Sequence, residues 1–461
     1  MIVKRNFLFA SLLALASISL VHAQNHHRLY LEVDNYPKKE WLWAALYGDD
    51  YHIIDTIDSF DEKAWVYQIP VGTPHGIYRV TEPGGKKHVE LVYDGEDIHI
   101  STDYDRVREK LTIHQSKSTR KYVRYMRAKS YIRYKQKLVE DFLADFPVSD
   151  PFYKQSSMKY MHLATEHNDT LNLLLEDASD FMRVLLQNEK AVEADTAETL
   201  EGFRQARKAR FFSCKDYSQS SILRSPFFPD QLLEYLGFFR EKHYNQRQQE
   251  EAFMIAVDTI LNYTKENPEV FDYSVNFLLE GFQRFGFDAL VQHIAKLTEA
   301  EIDCINEERR EAMQEKLSGI NAVAVGARAP ELAMTNIRGD MVSFDDIEAE
   351  YVLLVFWASW CPHCMDMLPA LEEFNRRYKS KVQIVAVSLD HEEEAWKEAA
   401  QQVPAVHLST LQGWDTPAVD DYRVYGTPSY FLLGKDKSIL TKSSVLGEIR
   451  SFLKKNPPSN K

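Results

Sequence analysis

Two cysteines separated by two residues, Cys361-Pro362-His363-Cys364, constrain this chain more than any other feature, because thiols at that spacing can close a disulfide with each other. The run before them, Tyr351-Val352-Leu353-Leu354-Val355-Phe356-Trp357, is apolar and β-prone. The run after them repeats Met367, Leu371, Phe374 and Tyr378 at helical spacing. The pair therefore stands where a buried strand hands over to an amphipathic helix, with Cys361 at the helix N-terminus. There, unpaired N–H groups and the positive end of the helix dipole stabilise a thiolate, the form that attacks disulfides. A Cys-x-x-Cys pair is also half of a zinc site, but zinc needs two further ligands and no second such pair exists in the chain. The spacing reads as redox chemistry that calls for no metal and no cofactor.

The segment Phe356-Trp357-Ala358-Ser359-Trp360-Cys361-Pro362-His363-Cys364, with Pro369 in the helix that follows, resembles the active-site segment of the thioredoxin superfamily. Within it, the branch resembled is the extracytoplasmic TlpA/ResA-like thiol-disulfide oxidoreductases. A distant motif agrees: Tyr425-Gly426-Thr427-Pro428-Ser429, running into Tyr430-Phe431-Leu432-Leu433, is similar to the family's cis-proline loop. Taken alone, Thr427-Pro428 reads equally as a trans proline opening a strand. Gly326 to Pro330, the hairpin-like Met334 to Phe344, and Trp414-Asp415 also resemble TlpA-like sequences. The resemblance covers about residues 321 to 461 and implies an α/β thioredoxin fold there. It implies Cys361 as the attacking nucleophile and Cys364 as the resolving thiol, with Pro362 and His363 tuning the pair. Thr427, Pro428 and Trp360 would receive the substrate. Two departures stand out: thioredoxins carry a buried Asp where this chain has Val355, and several TlpA/ResA-like proteins carry Glu where it has Met367. The proton acceptor for Cys364 is thus not named by pattern. Asp390 reads as a helix N-cap with Glu393 closing a capping box. His391 and His407 read as surface or core residues.

Lys4 and Arg5 precede an apolar run from Phe7 to Val21, followed by Val21-His22-Ala23 and Gln24, the small-x-small pattern of a signal-peptidase site. Residues 1–23 are expected to be a signal peptide, since the run falls short of the ~20 residues needed to span a bilayer. The mature protein is expected to be soluble after cleavage, in the periplasm or cell envelope, where disulfides persist.

With 461 residues the chain is too long for one core. From Arg28 to Thr102, β-prone runs alternate with turn signals: Leu29–Val33, Trp41–Tyr47, His52–Ile57, Ala64–Ile69, Ile77–Val80, Val89–Val92 and Ile98–Ser101. Residues 24–104 are therefore expected to form an all-β sandwich, 105–320 an α-helical domain, and 321–461 the thioredoxin-like domain. The helical stretch shows breaks at Pro147–Pro151, Pro226–Pro229 and Asn267-Pro268, and one clear face at Val275, Leu278, Leu279 and Phe282.

The net charge of −14 argues against nucleic-acid binding. One segment opposes that sign: Lys117, Arg120, Lys121, Arg124 and Arg127 share a helix face. It reads as a solvated face with Tyr122, Met126, Tyr131 and Tyr134 turned inward, or as a dock for an acidic partner or anionic membrane. Cys214 and Cys304 either pair or stay separate. The expected partners are protein thiols and disulfides and a redox protein that recycles the pair. The Pro-His spacer resembles the oxidase DsbA, whereas the TlpA-like frame points to reduction, which is the direction expected. A partner-binding or scaffold protein of the cell envelope with incidental redox activity is the alternative. A peroxiredoxin is not expected, because the residues before Cys361 do not match its Pro-x-x-x-Thr-x-x-Cys setting.

Overall fold

The computed structural model describes residues 27–456 apart from 37–39, 59–62, 84, 194–198, 242, 303–310, 312–317, 320 and 403. The expected signal peptide and Cys304 lie outside the described residues. The chain divides into two compact units, Met1–Phe238 with Asn262–Phe271, and Phe239–Leu261 with Asp272–Lys461. No helix among the described residues is long and apolar enough to cross a membrane.

The first unit begins with two four-stranded sheets. One runs in the order Ala64–Ile69, His27–Asp34, Ile98–Asp103, Thr112–Gln115; the other runs Asp50–Asp58, Glu40–Tyr47, Gly76–Thr81, His88–Tyr93. All seven strands read from the sequence are present. Period-two alternation decides which side chains turn in: Leu29, Leu31 and Val33 from the first sheet join Trp41, Trp43 and Val80 from the second in one buried cluster. The helical reading of the chain from Asp105 starts too early. Thr112–Gln115 is an edge strand on Ile98–Asp103, and the first helix begins at Lys117 behind a Ser116 cap. Four residues are too few to show a period, so only the neighbouring strand reveals them.

The helix Lys117–Asp145 also rotates differently from expectation. Tyr122 is buried as expected, but Tyr131 and Tyr134 are exposed, and Tyr125, Lys129 and Ile132 turn inward instead. Lys129 is tolerated there because its Nζ lies 2.6 Å from Glu189 Oε2. Glu189 also accepts from Gln231 Nε2 at 2.9 Å and from the Tyr125 hydroxyl. Burial works to raise this carboxyl, but the Lys129 ammonium and the hydrogen bonds outweigh it and hold it down to about 2. The helix breaks fall near the expected prolines, at 146–150, before Phe227 and at Asn267. Pro229 rides in the first turn of Phe227–Gly237, where its missing N–H costs no helical bond. Cys214 is a free thiol, its Sγ 3.2 Å from Lys190 O.

In the second unit, Val275, Leu278, Leu279 and Phe282 form the buried face of Pro268–Arg284. Beyond it stands a five-stranded sheet in the order Val406–Ser409, Val382–Ser388, Tyr351–Trp357, Ser429–Leu433, Ile439–Ser443. The central strand Tyr351–Trp357 pairs parallel with Val382–Ser388 and antiparallel with Ser429–Leu433. Its unbroken apolar run fits burial on both faces, and Val352 to Trp357 are all buried. The chain leaves this strand at Trp357 and enters the helix Pro362–Tyr378.

Candidate active site

Cys361 is the N-cap of the helix Pro362–Tyr378, and its Sγ accepts a hydrogen bond from Cys364 N at 3.4 Å. Pro362 at the first helical position loses nothing, since that N–H has no helical partner. The one-turn offset puts Cys364 under Cys361 and buries it fully, while Cys361 keeps 6% of its surface exposed. The environments then part the two thiols. Burial alone raises Cys361, but hydrogen bonds from Cys364 and Thr427 and from the backbone N–H groups of Cys364 and His363 outweigh it, leaving the thiol more acidic than usual. Burial, followed by the neighbouring Cys361 sulfur, pushes Cys364 up to about 12.

The second motif arrives from 66 residues away. The Thr427–Pro428 peptide bond is cis, and the Cys361 thiol donates to Thr427 O at 3.4 Å. Trp360 is anchored by its Nε1 on Leu389 O at 3.1 Å but remains 52% exposed, its ring 6.5 Å from that of exposed Trp414. Trp357 is buried against His407. Cys364 and Thr427 thus meet at the Cys361 sulfur, with Trp360 preceding it in the chain. Pro362 and His363 are exposed in the first turn, and the His363 ring makes no hydrogen bond to either thiol among the described residues.

Asp390 is not the helix cap that its spacing suggests. The helix Glu393–Ala400 has Glu392 at its N-cap, without a side-chain cap bond. Asp390 is instead buried and holds the approach to the thiols. Its carboxylate accepts from Ser359 N at 3.1 Å, Ser359 Oγ at 2.6 Å and Ser388 Oγ at 2.6 Å. This clamps Ser359, two residues before Cys361, to the end of the neighbouring strand. A readable signal exists, since Ser388-Leu389-Asp390 puts two polar residues at the end of an apolar run.

A family model described as thioredoxin-like matches residues 348–439. The thiol-disulfide oxidoreductase ResA of Bacillus cereus is 29% identical over 140 residues, 29% of this chain and 79% of its own length. The thioredoxin-like protein YneN of Bacillus subtilis is 29% identical over 109 residues, 23% of this chain and 64% of its own length. The C-terminal region is a TlpA/ResA-like member of the thioredoxin superfamily. The chain is accordingly an enzyme of the thiol-disulfide oxidoreductase class. A solved structure of a thioredoxin-like protein from Bacteroides caccae aligns with 55% of this chain and 93% of its own, at 15% identity and a TM-score of 0.38. In this TlpA/ResA-like domain the space beneath the Pro362–Tyr378 helix is largely apolar: Val355, Met367 and Ala386 line a cavity of about 10 Å³ together with His407. Among the described residues, no group of three or more His, Cys, Asp or Glu side chains could hold a metal ion.

Proposed function

We propose that this protein is an exported enzyme that reduces disulfides in protein substrates through Cys361 and Cys364. The observation that carries the reading is the split between the two thiols, one made more acidic at a helix N-terminus and the other buried and raised to about 12. Cys361 thiolate attacks a substrate disulfide, forming a mixed disulfide and releasing one substrate thiolate, which takes up a proton. Consuming the Cys361 sulfur removes its charge and its hydrogen bond, two of the influences that raise Cys364. Cys364 then loses its proton and attacks the Cys361 sulfur, releasing the second substrate thiolate. The enzyme ends as a disulfide, the substrate has gained two electrons, and a separate dithiol protein restores the pair.

Thr427 and cis Pro428 form the edge against which an extended substrate lies, and the exposed Trp360 ring forms the wall beside it. His363 tunes the pair through its backbone N–H. Reduction is the favoured direction because no side-chain cation is hydrogen-bonded to Cys361 among the described residues, so the dithiol lacks the strong thiolate stabilisation that makes a pair oxidising. Export follows from the Phe7–Val21 run and the Ala23-Gln24 site, with the periplasm or cell envelope as destination. A sandwich-like part that runs through Gln115 and a helical part that starts at Lys117 accompany the redox domain.

Two measurements test this. The Cys364→Ser protein, expressed in its own cell, should accumulate thiol-labile adducts on non-reducing gels, carried on Cys361. The Cys361/Cys364 pair of the whole mature protein should equilibrate nearer to thioredoxin, about −270 mV, than to DsbA, about −120 mV. Adducts on Cys364 would reverse the roles, and a potential near DsbA would make the protein an oxidase.

A further inference from the structure

The first unit carries a charged groove that disulfide exchange does not use. Lys117, Arg120, Lys121, Arg124 and Arg127 recur three and four residues apart, so they form one stripe on their helix. That stripe walls a groove of about 870 Å³, closed by the strand Thr112–Gln115 and by the end of the helix Pro151–Leu175 with Glu176 and Asp177. Two of the cations build it. Arg120 donates to Ile113 O at 3.0 Å and His114 O at 3.2 Å; Lys121 Nζ donates to Leu174 O at 2.9 Å and to Glu176 O. Lys117, Arg124 and Arg127 are exposed and form no hydrogen bond or ion pair among the described residues.

Fold stability does not account for that placement. The first turn of the helix holds no acidic residue, and no Asp or Glu occurs between Lys117 and Val139. The stripe therefore sets like charges three and four residues apart, and its first three members, Lys117, Arg120 and Lys121, lie near the positive end of the helix dipole, both unfavourable. A chain of net charge −14 has gathered cations where its own helix is weakened by them.

We propose that this groove docks an extended acidic segment of a partner protein. Lys117 to Arg127 spans about 15 Å of helix. An extended chain places three alternate side chains over about 13 Å, so carboxylates at every second residue match the stripe. Ile113, Val123 and Leu173 in the lining suit apolar residues between those carboxylates. A bilayer fits less well, because the stripe lines a groove that a single extended chain can enter and a flat array of headgroups cannot.

The test uses the whole mature protein and a fluorescein-labelled Glu-Leu-Glu-Leu-Glu peptide read by anisotropy. Wild type should bind it, more weakly as salt rises, and Arg124→Gln/Arg127→Gln should bind at least about tenfold more weakly. Lys435→Gln/Lys454→Gln, the same charge change elsewhere on the surface, should bind as wild type does. Removing the two arginines should also leave the melting temperature unchanged or raise it, since like-charge repulsion is relieved. The proposal falls if wild type ignores the peptide, if the groove variant binds normally, if both variants weaken equally, or if the groove variant melts lower. Sedimentation of wild type but not the groove variant with phosphatidylglycerol vesicles, without peptide binding, would make the surface a membrane contact instead.

Discussion

Two buried polar sites in this molecule use the same physics to opposite ends. At Glu189 the buried charge is fully matched: an ammonium and two neutral donors meet the carboxylate, and its pKa falls to about 2. At Cys361 and Cys364 the match is deliberately incomplete in its effect, since the donors converge on the first sulfur and the second is left buried and raised to about 12. Saturation makes an inert joint between helices. Asymmetry makes a pair in which one thiol is more acidic than usual and the other less, which is what the proposed exchange needs. Burial alone therefore says little about reactivity; the distribution of donors between neighbouring groups decides it.

The comparison predicts that the two sites separate activity from stability. Cys361→Ser should lower dithiol exchange with an insulin-type disulfide by on the order of 10³-fold or more, while urea unfolding shifts little. Lys129→Met should do the reverse, costing about 3–5 kcal/mol in the same unfolding assay because Glu189 stays buried without its counter-charge. The Lys129→Met/Glu189→Gln double variant should recover most of that loss. Exchange that survives Cys361→Ser, or a Lys129→Met protein as stable as wild type, would erase the contrast.

Asp390 lies between the two cases, a saturated carboxylate that serves the reactive pair. Asp390→Asn should destabilise by about 1–3 kcal/mol through its mispaired donors. It should also slow exchange about ten- to hundredfold by releasing Ser359 and with it the position of Cys361. A slower rate that is restored by stabilising osmolyte would reduce Asp390 to a purely structural group.

Acid sharpens the contrast further. Glu189 has a folded pKa depressed from 4.5 to about 2, so its contribution is fully present above about pH 4.5 and is lost as pH falls toward 2. That contribution is on the order of 3 kcal/mol in wild type and should be missing from the acid limb of the Glu189→Gln stability profile. The smallest effect expected is at His363. Alkylation of Cys361 should rise with pH with a midpoint below that of a free cysteine, and His363→Ala should move that midpoint upward. An unmoved midpoint would leave the backbone N–H of residue 363 as its whole contribution.

The strand Tyr351–Trp357 and the helix Pro362–Tyr378 were legible because long apolar runs and helical spacing are local properties. The seven N-terminal strands were legible for the same reason, their alternation being strong enough to show through turns. The edge strand Thr112–Gln115 was not, since a strand of four residues exists through its neighbour. The rotation of Lys117–Asp145 was also hidden. Aromatic residues occur on several sides of that helix, and a pattern reading turned Tyr131 and Tyr134 inward, whereas Tyr125 and Lys129 face the core because Glu189, 64 and 60 residues away, meets them.

The sequence by itself determined the candidate chemistry: two thiols one helical turn apart, at the junction of a buried strand and a helix, read as a redox pair. Tertiary structure alone decided which groups surround them. Thr427 reaches Cys361 across 66 residues and Asp390 reaches Ser359 across 31, and neither approach is written in any local spacing. The physical reason is that hydrogen-bond strength and thiol acidity depend on distances of a few ångströms, and those distances are set by how the five strands pack side by side.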